Sequence, residues 1–374
     1  MNIARLRSIG FALLVVVLVG AGCIQSRPPS SDASAVTASQ DRPNISVRTP
    51  DAFYDPPTNI PSRPGALLRS EPLKDVTLLA GMKGWRMLYT TTVNDGTPAT
   101  AVATVFAPAN PPAGPRPVIT WEHGTTGVLQ KCMPSLWSAP TAGIPARDQI
   151  VAAGWVVVAT DYSFAEKGGP HPYIIGEGEA RAALDSVRAA RQIPELMLDV
   201  RTVVWGHSQG GHAALWTGII GPRYAPDVTI VGVAAIAPAA NMKNILAMNL
   251  SVDKRLGPYL ALSYGRFYAD VTFEQALRPE ALDAAREIVN LCGFEDTQRI
   301  AALTATFEGS ALATSTNKAL AARLEKNTAD GVIAAPVVIA QGLADVTVPP
   351  PTTDLCQRAL RRRPTARVLD IRGE

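Results

Sequence analysis

The stretch Thr202-Val203-Val204-Trp205-Gly206-His207-Ser208-Gln209-Gly210-Gly211-His212-Ala213-Ala214-Leu215-Trp216 decides the fold. An apolar run, Thr202 to Trp205, leads into Gly-x-Ser-x-Gly, and Ala213 to Trp216 has helical composition. Strand, sharp turn and helix in that order lift a serine to the top of an α/β sheet, where its hydroxyl can act as a nucleophile. The glycines serve this sterically, because a serine in a strained backbone conformation needs neighbours without Cβ atoms. A glycine-rich turn with an incidental serine is the bland alternative, and the flanking strand and helix argue against it.

Strand and helix signals alternate on both sides of this element, which predicts a mostly parallel sheet covered on both faces. Trp85 to Thr92 and Ala99 to Phe106, around Asn94-Asp95-Gly96, read as an antiparallel hairpin at the sheet edge. Val118 to Trp121 and Trp155 to Thr160 are short continuous apolar runs, as strands buried on both faces should be. Glu179 to Arg191 reads as a helix with Ala180, Leu184, Val187 and Ala190 on one face. The nucleophile strand, Val228 to Ile236 and Val337 to Ala340 follow, and a helix near Thr353 to Arg362 leads to a last strand at Ala366 to Ile371. Between them, residues 241–330 show helical patterning, clearest at Phe273 to Leu291 and Thr304 to Leu324. That is too long for a βα connection and reads as a helical cap inserted into a core formed by residues 66–240 and 331–374.

The first 65 residues read differently. Arg5 and Arg7 precede an apolar run from Phe11 to Val19, too short to span a bilayer comfortably, which is a signal peptide pattern. Cys23, after Val19-Gly20-Ala21-Gly22, resembles the lipidated cysteine of bacterial lipoproteins, so residues 1–23 are expected to direct export and Cys23 to carry a lipid anchor. Ordinary secretion is the alternative. Residues 24–65, rich in Pro, Ser, Ala and Asp, read as a disordered tether to the membrane surface. Over 374 residues, 47% are hydrophobic and the net charge is only +3. No basic stripe is interleaved with aromatics, so nucleic acid is not an expected partner.

A serine hydroxyl is a poor nucleophile until a base takes its proton, and the base needs an acid to orient it. In this kind of sheet the chain order is Ser, then Asp or Glu, then His. Asp345, a few residues past the buried strand and before Val348-Pro349, is the candidate acid, with Asp330, Asp354 and Asp370 as alternatives. His123-Gly124-Thr125-Thr126-Gly127 follows a strand and suits an oxyanion loop. The expected donors to the oxyanion are the backbone N–H groups of Gln209 and Thr125, with the Thr125 hydroxyl as a further donor. His123 is expected to brace that loop. The base is the difficulty, because all four histidines, His123, His171, His207 and His212, precede Asp345. His171 is the one flexible outsider, and the histidine loop is expected where the sequence stops at Glu374.

Besides Cys23 there are Cys132, Cys292 and Cys356, an odd count that implies one disulfide and an unpaired thiol, or a missing partner. Cys132 follows the oxyanion loop and Cys292 lies in the insertion. A bridge between them, pinning the insertion beside the active site, is expected.

Together these residues resemble the bacterial and fungal secretory lipase family of α/β-hydrolases. The resemblance rests on His123 to Gly127 with Cys132 downstream, Thr160-Asp161-Tyr162, His171-Pro172-Tyr173 before the helix holding Leu184-Asp185, the Ser208 elbow, and Gly342 through Pro349. It implies an α/β-hydrolase fold with a helical cap, lipase or carboxylesterase activity on lipid or other esters, Ser208 as nucleophile, Asp345 as acid, and no metal or organic cofactor. The departure is the absent histidine, which makes the chain look truncated and impaired. The competing class is a non-catalytic lipoprotein that binds lipid in the old acyl pocket. A serine peptidase on the same fold has no sequence feature separating it from an esterase.

Overall fold

The computed structural model describes residues 45–293 and 295–353 and the backbone of residues 366–371. The expected signal segment, Cys23, residues 24–44, Asp354, Cys356, the Asp370 side chain and the helix expected beyond Thr353 lie outside the described residues.

Nine strands form one sheet among the described residues: β1 (Leu67–Pro72), β2 (Met82–Thr92), β3 (Pro98–Pro108), β4 (Arg116–Glu122), β5 (Val156–Phe164), β6 (Leu198–His207), β7 (Thr229–Ile236), β8 (Val337–Gly342) and β9 (Ala366–Ile371). Their spatial order is β1-β2-β3-β5-β4-β6-β7-β8-β9. The first pairings, β1 with β2, β2 with β3 and β3 with β5, are antiparallel, and every later one is parallel. This is the expected mostly parallel α/β sheet. The β2–β3 hairpin forms, but β1 covers its outer side, so the hairpin is not the edge. Leu67-Leu68-Arg69-Ser70-Glu71-Pro72 shows no clean alternation of buried and exposed residues, and this hid the strand.

Period-two geometry sends neighbouring strand residues to opposite faces. Val118, Val156 and Val158 therefore join the core beneath α2 (Gly176–Ala190) and α3 (Gln209–Tyr224), while Ile119, Trp121, Val157 and Ala159 pack with Ile144 and with Ile150 of α1 (Arg147–Ala152). All nine residues of β5 are buried, which is why it reads as one apolar run.

Between β7 and β8 the chain forms α4 (Met242–Met248), α5 (Leu250–Phe267), α6 (Phe273–Ala276), α7 (Leu282–Ile288), α8 (Thr297–Thr304) and α9 (Lys318–Lys326). These helices share one core, which also takes in Val128 and Tyr173 to Ile175 from the main body. The long helices expected at 273–291 and 304–324 are broken. Pro279 starts a separate 3₁₀ turn after α6, and α8 ends at Thr304, leaving residues 305–317 irregular before α9. The longest helix, α5, escaped notice because Pro258 sits inside it and its first turns are polar.

The expected tether needs a clear correction. Residues 45–65 belong to the same compact unit as the body. Val47 bridges to Trp137, Tyr54 Oη lies 2.8 Å from Ser135 Oγ, and Phe53 and Tyr54 are buried against Leu88, Val102 and Leu136. The Arg86 guanidinium stands 4.2 Å from the Phe53 ring centroid and pairs with Asp51 at 2.8 Å. Two aromatic anchors outweigh the composition around them, because large rings bury enough apolar area to order a Pro-rich segment.

Candidate active site

Ser208 sits at the junction of β6 and α3 with φ 58° and ψ −115°, a conformation L-residues avoid. Its N–H donates to Ile236 O at 2.9 Å, and its carbonyl accepts from His212 N and Ala239 N at 3.1 and 3.0 Å. The turn closes because Gly206 and Gly210 lack side chains. A Cβ on Gly206 would stand 2.0 Å from Gly210 O, and one on Gly210 would stand 1.8 Å from Glu122 O. The serine is half-buried.

Gln209 is the first residue of α3, so its backbone N–H has no partner within the helix and is available to an anion. The loop 123–127 runs alongside. A Cβ on Gly124 would meet His207 Nδ1 at 3.2 Å and Ser208 Cβ at 3.6 Å, so Thr125 directly follows a residue that packs on Ser208. Thr125 Oγ1 lies 2.8 Å from Tyr173 Oη; when the tyrosine donates, the threonine proton is free. The disulfide between Cys132 and Cys292 and the bond from Gly293 N to Thr126 O, 2.8 Å, hold this loop against the insertion.

Asp345 lies beyond β8, half-buried, its backbone N–H bonded to Gly342 O at 3.2 Å. Oδ1 accepts from Thr347 N and Val348 N at 2.8 and 2.9 Å, and Oδ2 faces Gln341 Nε2 at 3.4 Å. The alternative Asp330 is exposed, at the end of the insertion.

Hydrogen bonding accounts for three of the four histidines. His123 Nδ1 donates to Gly124 O at 2.7 Å, since a carbonyl can only accept, and burial pulls its pKa down to about 4. Its carbonyl accepts from Tyr162 Oη at 2.9 Å, so it braces the loop. His171 is fully buried, with Nδ1 donating to Val128 O and Nε2 accepting from Gln209 Nε2; burial lowers its pKa to about 3. His212 spans Glu179 Oε2 and Asn327 O at 3.1 and 2.8 Å. His207 is exposed, one edge over Gly124; desolvation lowers its pKa and the Asp345 charge opposes that shift. His171, the outsider of the sequence reading, is thus committed elsewhere.

Sequence reasoning missed the buried polar residues beneath the elbow, Glu122, Glu179 and Asn327. Burial pushes the Glu122 carboxyl well above its usual range. One signal was present: an Ala- and Gly-rich helix such as α2 can be buried on several faces, so an acid inside it calls for a polar partner.

The secretory lipase profile matches residues 148–353. Lipase 6 of Candida albicans is 28% identical over 215 residues, 52% of this chain and 45% of that protein. A secreted triacylglycerol lipase of Malassezia globosa is 26% identical over 258 residues, 66% of this chain and 54% of that protein. The chain therefore spans about half the length of these curated relatives. Among solved structures, the rice cell wall degrading esterase LipA of Xanthomonas oryzae superposes with a TM-score of 0.68 at 20% identity, covering 83% of this chain and 92% of that one. That likeness bears on the fold, an α/β-hydrolase. With more than half of its residues matched by the profile, the chain belongs to the secretory lipase family.

Proposed function

We propose that the chain is built as a serine hydrolase of carboxylic esters, acylglycerols among them, forming an acyl-enzyme on Ser208. The observation that carries this reading is the strained φ of Ser208 beside a free helix N-terminus. Ser208 Oγ attacks the ester carbonyl carbon, and the developing oxyanion is received by the N–H groups of Gln209 and Thr125. The alkoxide leaves with a proton from the base, and water then releases the acid by the same steps. Asp345, its Oδ1 held by two N–H groups, orients the base through Oδ2. His123, His171 and His212 are tied to other partners, so none of these three is placed to serve as that base. Residues 241–330 act as the cap over the acyl pocket, residues 1–23 direct export, and Cys23 carries the anchor to the membrane surface.

A fluorophosphonate should label Ser208 and no other residue in peptide mapping, and p-nitrophenyl esters of rising chain length should report the acyl preference. Labelling elsewhere sinks the assignment. A second reading, a lipid-binding protein without turnover, is favoured by the engagement of those three histidines. Lipid binding without any Ser208 labelling would select it.

A further inference from the structure

Gln209 offers its backbone N–H to the oxyanion while its side chain reaches down into a buried polar chain. Its Nε2 lies 2.8 Å from Glu179 Oε1 and 2.9 Å from His171 Nε2. His171 holds its proton on Nδ1, where Val128 O accepts it, so Nε2 can only accept. Both amide protons of Gln209 are therefore spoken for. The reverse amide orientation would set its oxygen against a carboxylate oxygen and an imidazole lone pair.

Glu179 is the hub. Oε1 also accepts from Ile174 N at 3.0 Å, and Oε2 shares a proton with His212 Nδ1. His212 Nε2 donates to the carbonyl of Asn327, the residue that ends α9. Asn327 Oδ1 accepts from Gly176 N at 3.0 Å, and its Nδ2 donates to Tyr268 Oη at 2.8 Å. Glu179, His171, Gln209 and His212 are all fully buried. Gln209 Oε1 has no partner among the described residues, so the two bonds of Nε2 are what hold this side chain, and a misplaced Gln209 would leave Glu179 and His171 unpaired as well.

The geometry points to Glu179 as a positioning residue for ester hydrolysis: it locks Gln209, the oxyanion donor, and connects that lock through His212 and Asn327 to the root of the helical insertion. This rests on the proposed esterase reading. Glu179→Ala removes the hub. Glu179→Gln preserves it, since the new amide oxygen accepts from Ile174 and Gln209 while its NH₂ donates to a neutral His212.

The test is phosphonylation of Ser208 by a fluorophosphonate in the full chain, with inactivation rate and inhibitor affinity separated and thermal unfolding followed in parallel. Glu179→Ala should lower the inactivation rate at least about tenfold with affinity within about twofold, as expected when only transition-state stabilisation is lost. Glu179→Gln should restore the rate. Should Glu179→Ala fail to fold, Gln209→Met, which removes both hydrogen bonds at similar volume, should give the same split. A folded Glu179→Ala that labels at the wild-type rate overturns the proposal, as does a parallel loss of affinity and rate. If wild-type Ser208 is not labelled at all, the esterase reading fails instead. Amide hydrogen exchange in the peptide covering residues 206–215 then decides: faster exchange in Glu179→Ala, restored in Glu179→Gln, upholds the lock, and unchanged exchange overturns it.

Discussion

The Cα of Gly210 faces the carbonyl oxygen of Glu122 so closely that a Cβ there would stand 1.8 Å from it. Backbone presses on backbone at this point, and no rotamer change can relieve an added methyl group. Gly210→Ala should therefore cost about 3 kcal/mol or more, at the upper end of single-residue effects. A urea midpoint within error of wild type would mean that β4 and α3 are less tightly joined than described.

Ser208 is expected to trade stability for its position. Ser208→Ala should abolish fluorophosphonate labelling and leave thermal stability nearly unchanged, since only a half-exposed hydroxyl is lost. Ser208→Gly should be more stable by about 1 kcal/mol, because glycine adopts φ 58° without strain. A glycine variant that melts below the alanine variant would contradict the strain argument.

Asp161 carries a pH signature. Burial raises its pKa from 3.8 to about 7, with Oδ1 accepting from Ser135 N and Oδ2 unpartnered among the described residues. Between those two values the folded state holds a proton that the unfolded state has released, so this group's contribution falls as pH rises through that window. Asp161→Asn mimics the protonated form. It should exceed wild type by about 1–3 kcal/mol at pH 8, the gain shrinking toward zero near pH 4. Measuring the difference between variant and wild type isolates Asp161 from His123 and His171, whose lowered pKa values act in the opposite sense. An equal difference at both pH values would refute the assignment.

The Cys132–Cys292 bridge closes a span of 160 residues. In the chain-entropy treatment a loop of that size is worth about 4–5 kcal/mol. Dithiothreitol should lower the urea midpoint of wild type and leave a Cys132→Ser, Cys292→Ser variant unaffected. It should also slow Ser208 labelling, because the bridge holds the loop bearing Thr125. Equal sensitivity of both proteins to reductant would remove the bridge from the account.

The parallel half of the sheet was legible because most of its strands carry a short apolar run, as in β5, β7 and β8, and the elbow because glycines punctuate a switch from period two to period 3.6. Elements whose order depends on distant partners were not. β1 is a strand because Met87 and Leu88 lie opposite it, not because of its own pattern. Within the insertion, Pro258 sits inside a helix while Pro279 starts a new turn, and only packing distinguishes the two. At the candidate site, Ser208, Gln209, Asp345 and the 123–127 loop could be named from local motifs. Glu179 joins Gln209 across 30 residues and His212 joins Asn327 across 115, and sequence spacing cannot reveal such bonds.

The docking of residues 45–55 changes where this protein can be cut. Tyr54 and Phe53 plug the gap between β2, β3 and the turn Pro134–Leu136, and Arg48 donates to the carbonyls of Leu136 and Ser135. That turn leads into Trp137, which with Pro134 lines a cavity of about 190 Å³ shared with Gly124, Thr125 and His207. A fragment trimmed to Gly65 would strip Arg48, Phe53 and Tyr54 from the turn that leads into this cavity. Residues 45–65 belong to the same compact unit as the body, so the choice of N-terminus for any shortened protein is a choice about its candidate site.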